Sequence, residues 1–194
     1  QQRTERNEGF GIKMCYMDKS WLFPFLGEEQ ENPLFIPLAG REICSPHYRI
    51  YRKKAEESVL CYVWGGEGYL KMQGGVVKVS EGDVFLLLKG TEHSYSVNPE
   101  NPWKVSWFNI TGDFFLDIVS AYHLHAGIFP KSSNSLIGLF ERGMKSCFDA
   151  QQAKKLSSVQ MELNRLLLEI VQTISKEYPI AVSNEMAENV KRFI

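Results

Sequence analysis

The sequence has no excess of basic residues: 22 lysines and arginines face 23 aspartates and glutamates, for a formal net charge of −1. A domain that grips nucleic acid by itself concentrates cations on one face. The charge balance therefore argues against direct nucleic-acid binding by this chain. Long apolar runs are also missing, and none approaches the ~18 residues that a helical membrane span requires. Cysteine is sparse, with Cys15, Cys44, Cys61 and Cys147 far apart and without paired spacing. Buried free thiols in a reducing cytoplasm are expected, rather than disulfides or a metal site. The opening residues show no secretory pattern, and Gln1, which is not an initiator residue, suggests a trimmed start.

Catalytic motifs are equally scarce. No Gly-x-Ser-x-Gly elbow is present, and no cysteine stands in an electropositive setting. Gly65-Gly66-Glu67-Gly68 falls between two strands and not before a helix, so it reads as a hairpin turn and not a phosphate cradle. A metal site in a small barrel would want a His-x-His pair and a Glu on one strand, plus a later histidine. His93 could be that later histidine. However, Arg49 to Ser58 places arginine and lysine where the imidazoles would stand, and cationic side chains do not ligate metal. His47 is isolated, and His123 and His125 sit two apart at a helix end, pointing away from each other. Neither a metal nor a cofactor is expected.

What the sequence does contain is a series of short β-rich runs punctuated by glycine. Val59 to Trp64, Tyr69 to Met72, Val76 to Val79, Val84 to Leu88 and Trp103 to Ile110 are separated by turn residues. Leu34 to Ile36 and Tyr48 to Tyr51 add two more strands. Together they predict a small antiparallel barrel or sandwich, of the kind that can hold one small ligand in its mouth. Before it, Trp21, Leu22, Phe23 and Phe25 surround Pro24, either as a plug over one end or as an arm that closes a pocket.

Past Gly112 the apolar period changes from two to about 3.6. Helices are predicted over 113–122, capped by Thr111 or Asp113, and over 134–148, capped by Ser132 or Ser133. A third is predicted from about 153 to 177. In it, Leu156, Val159, Leu163, Leu166, Ile170 and Ile174 repeat at three- and four-residue steps, close to a heptad seam. Either this seam meets a second copy of the chain or its own domain absorbs it. Pro179 ends the helix, and Met186, Val190 and Phe193 begin another amphipathic pattern at which the sequence stops.

Trp103, Val105 and Trp107 alternate onto one strand face, and His93 and Tyr95 share another. Tyr48, Ile50 and Arg52 likewise fall together. Aromatic faces beside Arg, a phenol and an imidazole suit a polar ligand with apolar ring faces, such as a sugar. An ordinary aromatic core is the competing reading of the same residues.

The ordered combination of Gly65 to Gly68, Glu81-Gly82-Asp83, His93 with Tyr95, Asn98-Pro99, Trp103 with Trp107-Phe108, and Gly112 resembles the ligand-sensing and dimerisation domain of AraC-type bacterial transcription regulators. The resemblance runs from about Leu34 to Ile194, and Ala187 to Ile194 resembles the lead-in to that family's helix-turn-helix half. It implies an α+β fold, with an antiparallel cupin-like β-barrel of jelly-roll type followed by a helical dimerisation hairpin. The implied organisation is an N-terminal arm over 1–30, an effector-binding barrel over 31–112, a helical dimerisation part over 113–178, and a linker into a DNA-binding domain over 179–194. It further implies a small-molecule effector, a carbohydrate, bound by Arg52, His93, Tyr95, Val105 and Trp107, where Val105 replaces a histidine that arabinose-responsive members use. Homodimerisation would run through Leu156, Val159, Leu163, Leu166 and Ile170. DNA would be contacted only through the C-terminal domain beyond this sequence, and no membrane is involved. The alternative is a metal-dependent cupin enzyme, an isomerase or dioxygenase, built on His93.

Overall fold

A computed structural model describes residues 20–24, 33–153 and 156–179, with the side chains of 156–158 outside that description. The expected linker over 179–194 and the tail Ala187 to Ile194 lie almost wholly outside the described residues, as do Phe25 and most of the expected arm. Ten strands are described: β1 (Trp21–Pro24), β2 (Phe35–Ile43), β3 (Arg49–Arg52), β4 (Ser58–Gly65), β5 (Glu67–Met72), β6 (Gly75–Ser80), β7 (Val84–Leu87), β8 (His93–Val97), β9 (Lys104–Thr111) and β10 (Gly127–Phe129). The helices are α1 (Asp113–Ala121), α2 (Asn134–Ala153) and α3 (Leu156–Glu177).

The fold is α+β and cupin-like. Two antiparallel sheets, ordered β1-β2-β9-β4-β7-β10 and β3-β8-β5-β6, do not join into one continuous barrel. The larger sheet is buried on both faces. Its inner face, with Cys61, Val63, Phe85 and Val105, packs with Leu70, Val79 and Val97 of the smaller sheet. Its outer face, with Leu60, Tyr62, Leu86 and Phe108, packs under the helices against Leu139, Phe140, Met144 and Leu166. This double burial explains why Val84–Leu87 is apolar at every position, where a strand with one wet face would alternate.

Gly65 to Gly68 is not a hairpin turn. β4 and β5 belong to different sheets, so this segment is a corner that carries the chain from one to the other. Gly66 adopts φ +76°, and a Cβ there would overlap the Pro102 carbonyl. Only glycine tolerates both that angle and that approach. The true hairpin is β5–β6, with Met72 paired to Gly75. The Trp21–Pro24 segment is an edge strand on β2, with Leu22 paired to Gly40. Phe23 is buried and meets Phe148 of α2 edge-on at 6.4 Å.

The caps follow local chemistry. Ser133 Oγ accepts from the Leu136 N–H at 3.1 Å, which caps α2 as expected. At α1 neither expected cap operates, because Gly112 is the N-cap and no side chain bonds there. Cys44, Cys61 and Cys147 are free and buried.

The seam of α3 turns inward. Val159, Leu163, Leu166 and Ile170 are all buried in the chain's own core, along with Leu167, Val171 and Ile174. They are therefore not available to a second copy, and Leu156 falls where side chains lie outside the described residues. The stripe is wide because α3 packs on both α2 and β2. Among the described residues, the exposed large apolar side chains of this helix are Met161, 82% exposed, and Leu168, 40% exposed, one heptad apart.

Two polar devices tie the helices to the sheet. β2 is irregular between Phe35 and Leu38 where it pairs with β9. At Ile36, within that irregularity, the Gln160 amide of α3 stands in for a strand: Ile36 N–H donates to Gln160 Oε1 at 3.2 Å, and Gln160 Nε2 donates to the Ile36 carbonyl at 2.9 Å. Nearby, the Arg41 guanidinium, 2% exposed, donates to Ser106 Oγ at 2.9 Å and to Glu141 of α2 at 3.0 Å. It also stacks on Trp64, 4.0 Å from the ring centroid.

Candidate ligand-binding site

A cavity of about 500 Å³ opens between the two sheets. Arg52, His93, Tyr95, Val105 and Trp107, expected separately from sequence, all line it. Their convergence follows from strand period and register. On the larger sheet, alternate residues of β9 (Val105, Trp107, Asn109) face inward. On the smaller sheet, β3 pairs with β8 so that Arg52 stands opposite His93 and Ile50 opposite Tyr95.

One cross-strand row explains why space exists at all. Gly40 pairs with Trp107, Trp107 with Cys61, and Cys61 with Phe85. Large rings thus alternate with small residues across the sheet. A Cβ at Gly40 would come within 2.5 Å of the Trp107 ring and 3.0 Å of Leu22 Cδ2. The indole therefore lies down over β2, in a place only glycine leaves free, and the volume above Cys61 stays open.

The cavity has two unlike ends. At the closed end stand Tyr48, Phe85, Trp103 and Val105, joined by ring contacts of Phe85 with Trp103 (5.8 Å), Tyr95 with Trp103 (6.0 Å) and Tyr48 with Tyr95 (6.1 Å). Trp103 is 1% exposed and its indole N–H is spent on the Val79 carbonyl at 3.0 Å. Burial, with Cys61 nearby, pushes the Tyr95 phenol up to about 12, and burial, with Tyr95 beside it, raises Tyr48. Both phenols therefore stay protonated. The mouth is polar instead, with Arg52, Lys54 and Glu56 exposed beside Glu57 and Asn109. Asn109 Nδ2 donates to Glu57 at 2.6 Å.

His93 lies between these ends. It is 4% exposed and stacks on Tyr95 with ring centroids 6.2 Å apart. Burial, and then the neighbouring Arg52 charge, lowers its pKa from the ordinary value of 6.5, so the imidazole is neutral at pH 7. Its Nδ1 is buried with no hydrogen-bond partner among the described residues. An unpartnered polar atom of this kind is a natural contact for a bound molecule. No group of three or more His, Cys, Asp or Glu side chains among the described residues is placed to hold a metal ion.

Sequence reasoning missed the floor and the entrance: Leu38, Gly40, Cys61, Phe85, Glu57 and Asn109. Gly40 carried a signal, since a glycine inside a strand marks a close approach of other atoms. Asn109 continues the alternation from Val105 through Trp107. Glu57 carried none, because its place depends on the path of the β3–β4 loop.

The profile of the AraC-like ligand binding domain family matches residues 35–177. The chain is 25% identical over 166 residues to the lactose operon transcription activator of Staphylococcus xylosus, covering 80% of this chain and 57% of that protein. It is 30% identical over 84 residues to the raffinose operon transcriptional regulatory protein of Pediococcus pentosaceus, covering 42% of this chain and 29% of that one. The chain thus spans 57% and 29% of the lengths of these two curated relatives. Among solved structures, it is similar to the AraC-like transcriptional activator CuxR, with a TM-score of 0.48 and 9% identity over 81% of this chain and 60% of that one.

Proposed function

Because the chain belongs to the AraC-like ligand-binding domain family, we propose that it is the effector-sensing domain of a transcriptional regulator and that its effector is a carbohydrate or a carbohydrate-bearing molecule held in the cavity between the sheets. One observation carries the choice of site: a buried, neutral His93 with an unpartnered Nδ1 stands in a cavity walled by Trp107, Tyr95 and Arg52. Aromatic faces cover the apolar faces of a sugar ring, while the imidazole, the guanidinium and Asn109 supply hydrogen bonds to its hydroxyls. The names of the two sugar-operon relatives support a carbohydrate over other polar ligands.

The domain has no turnover in this reading. Effector binding shifts an equilibrium between two arrangements of the regulator by its difference in affinity for the two. DNA contacts are made by a helix-turn-helix domain outside this sequence. The regulator works as a homodimer, and the outer face of α3 with Met161 and Leu168, not its buried stripe, is the surface offered to the second copy.

A thermal-shift screen of mono- and disaccharides and simple glycosides tests the reading. At least one should raise the melting temperature of the wild type, and Trp107→Ala should abolish or strongly reduce that shift. A ligand that stabilises both proteins equally binds elsewhere and refutes the site.

A further inference from the structure

The two ends of the cavity ask for different chemistry. From the level of Asn109 at the mouth to that of Val105 at the closed end is four residues of β9, about 13 Å at ~3.3 Å per residue. One sugar ring is shorter than this and cannot touch both levels. Around the mouth, polar groups are abundant: Arg52, Lys54, Asn109, Glu57 and, just inside, His93 Nδ1.

At the closed end they are few. Phe85 and Val105 offer none and Trp103 has committed its N–H to Val79, which leaves the Tyr48 and Tyr95 hydroxyls as the polar atoms of this end. The Cys61 thiol is buried, with its pKa held well above the usual thiol value, so it stays an apolar filler. A second sugar ring placed here would find only the two phenol hydroxyls and leave its other hydroxyls buried without partners, which disfavours it. An apolar or aromatic ring would instead complete the cluster of Phe85, Tyr95 and Trp103 rings.

From this division we infer that the effector is a glycoside with an apolar aglycone: the sugar sits at the mouth between Arg52, His93 and Asn109, and the aglycone reaches the aromatic end beside Val105. The inference rests on the carbohydrate reading above and narrows it from sugars in general to one amphipathic class.

Isothermal titration of the protein with matched methyl and phenyl glycosides of glucose and galactose, in both anomeric forms, tests it. At least one phenyl glycoside should bind roughly tenfold or more tightly than its methyl partner, the scale expected for burying a ring. Val105→Leu and, separately, Cys61→Val add volume at the closed end and should erase that advantage, so that each phenyl glycoside binds no more tightly than its methyl partner; two variants guard against one that misfolds. Equal affinity for the methyl and phenyl members of every pair overturns the aglycone inference and leaves the carbohydrate reading standing. So does a phenyl preference that survives in both folded variants. Binding of phenol alone as tight as that of its glycosides, or no binding by any glycoside, overturns both.

Discussion

Gln160→Leu should destabilise the domain far more than a single side-chain change on a helix usually does. The Gln160 amide, itself buried, is the partner of both the N–H and the carbonyl of Ile36, whose backbone lies in the irregular part of β2. Leucine is similar in size, so no large cavity forms, and the cost is that of two buried backbone groups left unpaired. At about 1–3 kcal/mol for each such group, partly offset by the better burial of an apolar side chain, the net loss is about 2–4 kcal/mol. For a domain of this size that is a fall in melting temperature of roughly 5–15 °C. Urea unfolding followed by tryptophan fluorescence measures it as a shift in midpoint at constant slope. Asn164→Ala is the comparison, since its one bond, to the Leu34 carbonyl at 3.3 Å, is longer and only part-buried; it should cost less than half as much. A Gln160→Leu protein within about 0.5 kcal/mol of wild type, the usual range for surface changes, would show that water satisfies Ile36 and that the amide is not the tie between α3 and β2.

Gly40→Ala forces the Trp107 indole off β2 and into the cavity, because a Cβ there would lie 2.5 Å from the ring; ligand affinity should fall at least tenfold, at a stability cost of about 1–3 kcal/mol, and unchanged affinity by titration would refute the lying-down indole. His93 has a lowered pKa in the fold, so the unfolded chain takes up its proton first as pH falls. Stability is then full above about 6.5, erodes below it, and should erode less in His93→Gln; identical acid-side profiles by chemical denaturation would contradict the buried neutral imidazole. Leu163→Glu should unfold the domain, whereas Met161→Glu with Leu168→Glu should give a folded monomer by sedimentation. A folded Leu163→Glu protein, or a double variant that still dimerises, would refute the division of α3 into an inner and an outer face.

The strands and the pocket walls were legible because they rest on a period of two. Alternation puts Val105 and Trp107 on one face and His93 and Tyr95 on another, and no knowledge of pairing is needed to see it. What alternation does not contain is which sheet a strand joins. Two strands flanking a glycine-rich turn look like a hairpin, and Gly65 to Gly68 reads that way. The distinction lies in Gly66 passing against the Pro102 carbonyl, a contact across 36 positions of sequence. β10 was missed for a related reason: Gly127–Phe129 is three residues long, and its strand character comes from pairing with β7.

The α3 seam shows where spacing alone misleads. Leu163, Leu166 and Ile170 have coiled-coil spacing, but so does any helix that buries one face. The useful quantity is the width of the stripe. A two-stranded seam needs only two positions in seven, yet Leu167 and Val171 add a further column, and that width matches a helix lying in the angle between a sheet and another helix. Both surfaces are present, in β2 and α2. What such a helix leaves for a second copy is whatever apolar residues fall outside the wide stripe, and among the described residues those are Met161 and Leu168. The two residues that break the inward pattern, and not the many that keep it, are therefore where an interface on α3 has to be sought.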